Sequence, residues 1–334
     1  MLKIGVIGCG KMGQDHIKRL TNIIPGAEVT AVTDVLVANA EAAAKICGAK
    51  IYQEEKELIA AADVDAIFIV SPGFAHKETL LQAIALGKPA FCEKPLCTTA
   101  ADCLEVVKAE VASGKHLIQL GFMRRYDRGY LQLKEALDSG EYGEPLMLHC
   151  THRNPEVGTD YHTPMAVHDT AIHEIDVLHW LVDDEYDTVQ VITPKVTKYS
   201  HSELKDPQMM LMRTKKGVCI DVEVFVNCKF GYDINCEMVC ENGSVRMAEP
   251  GYPDIRKNAA VARAIDTDCF VRFAQAYDVE VQEWVEATLK GTVDGPTSWD
   301  GYLAAVTADA LVKAQESGNI ETVVTAIEKP DFYQ

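Results

Sequence analysis

Leu2–Gly8, LKIGVIG, is a short apolar run closed by glycine, the pattern of a strand buried on both faces. A helical pattern follows through about Ile24. The alternation then repeats: strand Glu28–Thr33, helices Val37–Cys47 and Lys56–Ala62, strand Ala66–Val70, helix Ala75–Leu86, strand Pro89–Cys92, helix Ala100–Ser113 and strand Leu117–Gly121. Strands alternating with helices predict an α/β unit over residues 1–123, built on a doubly wound parallel sheet. Past Tyr126 the pattern changes. Helix Arg128–Ser139 precedes strand Pro145–Arg153, and strand-like segments follow at Thr188–Lys198, Gln208–Thr214, Val218–Asn227, Tyr232–Glu241 and Ser244–Met247. Lys215-Lys216-Gly217 and Glu241-Asn242-Gly243 read as hairpin turns. Residues 124–334 are therefore expected to form an α+β domain with a largely antiparallel open sheet, ending in helices Cys269–Leu289 and Trp299–Ser317.

One helix carries candidate chemistry. Val167–Trp180, VHDTAIHEIDVLHW, lacks Gly and Pro, and Val167, Ala171, Ile175, Leu178 and Val182 fall at helical spacing on one apolar stripe. Asp169, His173, Asp176 and Trp180 follow the same rhythm two residues out of step, a rotation of about 200°, so they are expected on the opposite face. Asp169 and His173 are then neighbours at i,i+4. A carboxylate beside an imidazole can fix the ring's tautomer and raise its basicity, which suits proton transfer near neutral pH. The same spacing also serves purely structural pairs. A metal reading is weaker: His168, His173 and His179 do not share a face, and HEIDVLH is not the HExxH of zinc proteases.

Composition narrows the classes. The chain's 334 residues suffice for two ordinary domains. A formal net charge of −18 repels polyphosphate and anionic lipid, so neither nucleic acid nor a membrane surface is an expected partner. No apolar run approaches a membrane span, and the start is too short and glycine-broken for a signal peptide. The eleven cysteines show no CxxC spacing and read as reduced thiols, which points to the cytoplasm.

Between the first strand and helix lies Gly8-Cys9-Gly10-Lys11-Met12-Gly13, a GxGxxG turn. Its first glycine allows the tight turn, its second lets the backbone approach a pyrophosphate, and its third lets helix and strand pack closely. The helix N-terminus then offers N–H groups to the anion. The second strand ends at Asp34, the position from which an acid bonds the adenosine ribose. Val35 follows, with no arginine to receive a 2′-phosphate, so NAD is the expected cofactor on a Rossmann sheet. Ligands on such sheets lie at the strand carboxyl ends, where Ser71-Pro72 and Glu93-Lys94-Pro95 fall. There the Lys94 ammonium can stabilise charge that develops on a substrate oxygen.

The GCGKMG turn, Ser71-Pro72…His76, Glu93-Lys94-Pro95 and the downstream Asp169…His173 pair resemble the glucose–fructose oxidoreductase / inositol dehydrogenase family of nicotinamide enzymes. Further marks, among them Gly121-Phe122-Met123-Arg124-Arg125-Tyr126-Asp127, His152-Arg153-Asn154-Pro155 and Asn227–Asp233, look like its inositol-oxidising branch and span nearly the whole chain. The resemblance implies oxidation of a cyclic polyol, most closely myo-inositol, by NAD, with Lys94, Asp169 and His173 as the catalytic group and no metal. It implies a cofactor site at Gly8, Gly10, Lys11, Met12, Gly13, Asp34, Val35, Ser71, Pro72, His76, Glu93 and Lys94. It implies polyol contacts from Lys94, Arg124, His152, Asn154, Asp169, His173 and Tyr232, and a homotetramer. Another inositol isomer or an aldohexose would present nearly the same hydroxyls. A nucleotide-sensing regulator on the same fold would have no need of Lys94, Asp169 and His173 together. Arg246–Thr267 matches the family least, and no site is expected there.

Overall fold

The computed structural model describes residues 1–248 and 251–334; Glu249 and Pro250, within the segment that matches the family least, lie outside the described residues. The described residues cluster into two compact units. The first comprises Met1–Met123, Tyr277–Ala305 and Thr325–Gln334, and the second Arg124–Ala276 and Val306–Val324.

The first unit runs β1 (Leu2–Ile7), α1 (Lys11–Asn22), β2 (Ala27–Thr33), α2 (Val37–Cys47), β3 (Lys50–Ile51), α3 (Glu55–Ala60), β4 (Ala66–Ile69), α4 (His76–Ala85), β5 (Ala90–Glu93), α5 (Ala100–Ser113) and β6 (Ile118–Gly121). Its six strands lie parallel in the order β3-β2-β1-β4-β5-β6, so the sheet is the expected doubly wound one. β4, β5 and β6 are buried at every position, which is why they read as apolar runs rather than alternations. Phe68 and Phe91 stack at 4.3 Å on adjacent strands, and Trp284, from the late segment of this unit, meets Phe68 edge-on at 5.4 Å. The strand order reverses between β1 and β4, the crevice in which such sheets bind ligands. Gly8 and Ser71 follow the carboxyl ends of those two strands.

The second unit contains α6 (Arg128–Asp138), β7 (Pro145–Arg153), α7 (Ile172–Val182), β8 (Tyr186–Ile192), β9 (Gln208–Thr214), β10 (Cys219–Phe225), β11 (Asp233–Cys240), β12 (Gly243–Arg246), and a separate hairpin of β13 (Ile255–Lys257) and β14 (Ala260–Ala262). β12-β11-β7-β10-β9-β8 form a sheet closed at one edge by β15 (Glu321–Thr322). All its pairings are antiparallel except β7 with β10. Burial alternates along β9 and β11, so one face of this sheet packs on the unit's own core.

Two expected helices differ in detail. Cys269–Leu289 is broken at Phe273 into α8 (Cys269–Arg272) and α9 (Ala274–Lys290); Phe273 leaves helical geometry as its ring is buried completely. α10 (Ser298–Ser317) follows as expected. The second difference bears on function. Ala166–Ala171 is a π-helical turn, and regular α-helix begins only at Ile172. α7 has no solvated face: every residue from Ile172 to Leu178 is buried, including Glu174 and Asp176. The apolar stripe is buried as expected, but the rest of the helix is enclosed as well, and its acidic residues are neutralised by arginines rather than by water.

Candidate active site

In the first unit the glycine-rich turn is built as its sequence requires. Gly8 has φ +94°, and a Cβ there would lie 2.5 Å from the backbone of Val70 and Ser71. A Cβ on Gly13 would sit on the Gly8 carbonyl oxygen. Gly10 differs: its φ is −69°, and a Cβ would meet nothing within 4 Å. Neither backbone strain nor packing within the unit asks for glycine there. No side chain caps the N-terminus of α1, which starts at Lys11-Met12-Gly13. Asp34 ties the turn to the end of β2. Its Oδ2 accepts from Cys9 N at 2.7 Å, and its Oδ1 accepts from Leu36 N at 2.7 Å and Asn39 Nδ2 at 3.3 Å. Burial and then the Asp34 charge push the Cys9 thiol up to about 12, so it stays neutral in the turn. Val35 is 98% exposed.

The loops after β4 and β5 are joined by His76. Its ring is fully buried, with Nε2 2.7 Å from Ser71 O and Nδ1 2.7 Å from Pro95 O. Burial lowers its pKa and is the larger effect; the two carbonyls act against it by favouring a doubly protonated ring. His76 therefore shapes the Ser71-Pro72 and Lys94-Pro95 backbones from behind. The Ser71 hydroxyl is buried and has no hydrogen-bond partner among the described residues. Glu93 is buried, with Oε1 2.7 Å from His16 Nε2 and Oε2 accepting from Lys94 N at 3.2 Å. Arg19 Nη1 lies 3.2 Å from His16 Nδ1, so that nitrogen accepts, and Nε2–H donates to Glu93. The partly buried Lys94 thus leaves a strand end braced by a buried His16–Glu93 pair.

In the second unit Asp169 is exposed within the π turn, and His173, 9% exposed, lies in the first turn of α7. Such turns recur at functional sites because they shift side chains out of α-helical register. Arg124, His152 and Tyr232 are all buried, and the first two meet at Glu174. Arg124 Nη1 donates to Glu174 Oε1, and His152 Nδ1 is 2.8 Å from Glu174 Oε2. The ring of His152 lies 6.4 Å from that of His173 and 5.9 Å from that of Tyr232. Asn154 follows β7, its backbone fixed by Phe225 O at 2.9 Å and Cys228 N at 3.0 Å. A cavity of about 530 Å³ opens beside Tyr232, lined also by Asp127, Tyr252, Asp266 and Arg272. Of the candidate polyol residues in this unit only Tyr232 lines it; Arg124, His152, Asn154, Asp169 and His173 do not.

Residues 2–122 match the oxidoreductase family with an NAD-binding Rossmann fold, and residues 134–324 match the C-terminal alpha/beta domain of that family. The chain belongs to this oxidoreductase family. A relative from Pseudomonas syringae pv. syringae, named inositol 2-dehydrogenase, is 52% identical over 337 residues, covering 99% of both chains. Among solved structures, the myo-inositol dehydrogenase from Lactobacillus casei in complex with NAD(H) and myo-inositol is 42% identical, with a TM-score of 0.97 and complete coverage of both chains. The scyllo-inositol dehydrogenase from the same organism, with bound NAD(H) and scyllo-inositol, is 27% identical, with a TM-score of 0.91, covering 97% of this chain and 100% of that one.

The first unit's residues fit the cofactor of this family. The open point at Gly10, the uncapped start of α1 and the unpartnered Ser71 hydroxyl are what a dinucleotide's phosphates and polar groups would use. The Asp34 oxygens already accept three hydrogen bonds, and a carboxylate has about four acceptor positions, which leaves room for one ribose hydroxyl. The sequence reading missed Glu174, His16 and the bidentate Arg125–Asp176 pair. For Glu174 a signal existed, because it projects toward the apolar stripe of its helix, where a carboxylate needs a partner.

Proposed function

We propose that the chain oxidises myo-inositol at C2 to the 2-keto product with NAD, and that Lys94, Asp169 and His173 are its catalytic residues. The observation that carries this reading is likeness over the full length, in sequence and in fold, to proteins named for inositol oxidation, one of them holding NAD(H) and myo-inositol. Bound NAD supplies the hydride acceptor, C4 of its nicotinamide ring. The chain's own residues handle the proton and the oxygen. His173 takes the hydroxyl proton as general base. Asp169 orients the His173 ring and stabilises its protonated form. Lys94 donates to the reacting oxygen and lowers the cost of alkoxide character there. Arg124, His152, Asn154 and Tyr232 serve the remaining hydroxyls, His152 by direct contact and Arg124 through Glu174 and His152.

The scyllo-inositol dehydrogenase likeness keeps a second isomer in view, because ring polyols share most of their hydroxyl array. The proposed assembly is a homotetramer, and the proposed compartment is the cytoplasm. Among the described residues no helix is long and apolar enough to cross a membrane. The deciding experiment follows NADH formation with myo-inositol, scyllo-inositol, other epimers and aldohexoses. The highest kcat/KM is expected with myo-inositol, and an aldohexose preferred over every inositol would overturn the reading. Sedimentation at micromolar concentration tests the assembly, and a monomer would refute it.

A further inference from the structure

His152 presents a conflict at one atom. Its Nδ1 lies 2.8 Å from Glu174 Oε2 and 3.1 Å from Arg124 Nη2. A carboxylate oxygen only accepts and a guanidinium nitrogen only donates, so a neutral ring can satisfy one of them at Nδ1, not both. Bonding to Glu174 puts the proton on Nδ1 and leaves Nε2 as an acceptor. Bonding to Arg124 strips Nδ1 and turns Nε2 into a donor. The Glu174 contact is the shorter, and it is assisted by charge. Burial pushes the Glu174 carboxyl up, but Arg124 and His152 together outweigh burial and hold it below its ordinary value, so the acceptor is ionised. Both charged groups are 1% exposed, so water does not mediate the choice.

We infer that Glu174 is a positioning residue that locks His152 in the Nδ1–H tautomer and thereby makes His152 Nε2 a hydrogen-bond acceptor for one hydroxyl of the polyol. The inference rests on the proposed role of His152 as a polyol contact. Arg124 has a defined part in it. By holding one oxygen of Glu174, it fixes the carboxylate so that the other oxygen faces the imidazole. With the opposite tautomer Nε2 would donate instead, so the hydroxyl would have to accept there and turn its own proton to another partner.

Glu174→Gln tests this with little change in shape. Arg124 will bond the amide oxygen, which turns the amide N–H toward His152 Nδ1 and forces the proton to Nε2. The expected result is a KM for myo-inositol raised about ten- to a hundredfold, the range for losing a hydrogen bond to a charged or buried partner. NAD affinity should be unchanged, and kcat at saturation should move far less than KM. Glu174→Asp keeps the charge and should recover most of the loss. In a His152→Gln background, Glu174→Gln should raise KM no further, whereas a merely structural Glu174 would add its own loss. The wild type supplies an independent readout if the variants fold poorly. With ¹⁵N-labelled histidine, the His152 signals should show a protonated Nδ1 and a bare Nε2. The opposite tautomer in the wild type, or a tautomer that flips in Glu174→Gln while KM stays constant, overturns the inference. Should the wild type fail to oxidise any inositol, the proposed function falls, while the tautomer measurement still decides what Glu174 does.

Discussion

Gly10→Ala separates cofactor binding from folding, because the structure assigns the three glycines of the turn different duties. Gly8→Ala places a Cβ 2.5 Å from Val70 and Ser71 backbone atoms at φ +94°, and Gly13→Ala drives one onto the Gly8 carbonyl. Each should destabilise the unit by about 1–3 kcal/mol or more through overpacking, with about 1–2 kcal/mol of backbone strain added at Gly8. At Gly10 the added methyl meets nothing within 4 Å, and φ is −69°. Alanine restricts the unfolded chain, worth about 0.4–1 kcal/mol, but is a poorer helix N-cap than glycine by a similar amount. The net change in stability should be about zero. The methyl nevertheless fills the space through which a pyrophosphate reaches the start of α1. Losing one charge-assisted hydrogen bond there costs about 1.5–3 kcal/mol, or roughly 10- to 150-fold in affinity. Calorimetric melting without cofactor and titration calorimetry with NAD, on the same preparation, give both quantities. A Gly10→Ala protein that binds NAD within twofold of the wild type, or that melts far below it, refutes the assignment.

The other expectations concern specificity, chemistry and stability. Asp34→Ser with Val35→Arg should shift preference from NAD toward NADP, since Val35 is exposed and the Asp34 charge repels a 2′-phosphate; equal kcat/KM for both cofactors in the wild type would exclude this role for Asp34. His173→Ala should lower kcat by about 10²–10⁴-fold with little change in NAD affinity, and the rise of kcat/KM with pH should lose one ionisation. Asp169→Asn should lower kcat less, and normal turnover by folded His173→Ala protein would end the catalytic reading. Glu110→Ala removes the acceptor of four buried donors, Leu117 N, Ile118 N, Ser298 Oγ and Tyr333 Oη. The two hydroxyls, 2.8 Å apart, can still bond each other, so three donors are stranded and the cost should be about 3 kcal/mol, against about 1 kcal/mol for Tyr333→Phe; equal melting temperatures for the two variants would contradict it. Glu174, held below its ordinary pKa, adds stability that is complete above the ordinary carboxylate range and is lost as pH falls through its folded value. Melting temperature should therefore fall more steeply on acidification in the wild type than in Glu174→Gln, and parallel curves would show that the pair contributes no such term.

The first unit was legible because its signals are local. A strand buried on both faces is an apolar run whatever it packs on, and β4, β5 and β6 are buried at every residue. The GxGxxG turn is likewise a local backbone problem with few solutions, so Gly8, Gly13 and Asp34 are found where sequence spacing puts them. The second sheet was legible as antiparallel from its hairpins, but the parallel β7–β10 pair was not. That pairing joins segments far apart in the chain, and no turn residue announces it. The hairpin β13–β14 was also missed: its six residues are all exposed, so no hydrophobic period marks them.

The helix around His173 shows where periodicity stops being informative. Spacing correctly placed Val167, Ala171, Ile175 and Leu178 in the core. It put Asp169, His173, Asp176 and Trp180 on an opposite face, but a period records contrast and carries no information about what lies on that side. Glu174 follows Ala171 by three residues and precedes Leu178 by four, which puts it within about 60° and 40° of two core positions. A carboxylate there is either an error of register or one half of a buried pair. Its other half, Arg124, is fifty residues upstream, and nothing in the local pattern of either residue names the other. Buried charges are costly when unpaired and about neutral when paired, so such a pair gains little as a stabilising device. Its retention is more readily explained by what the geometry does for His152, since a carboxylate with one oxygen held by Arg124 has only one left to set the tautomer of the ring.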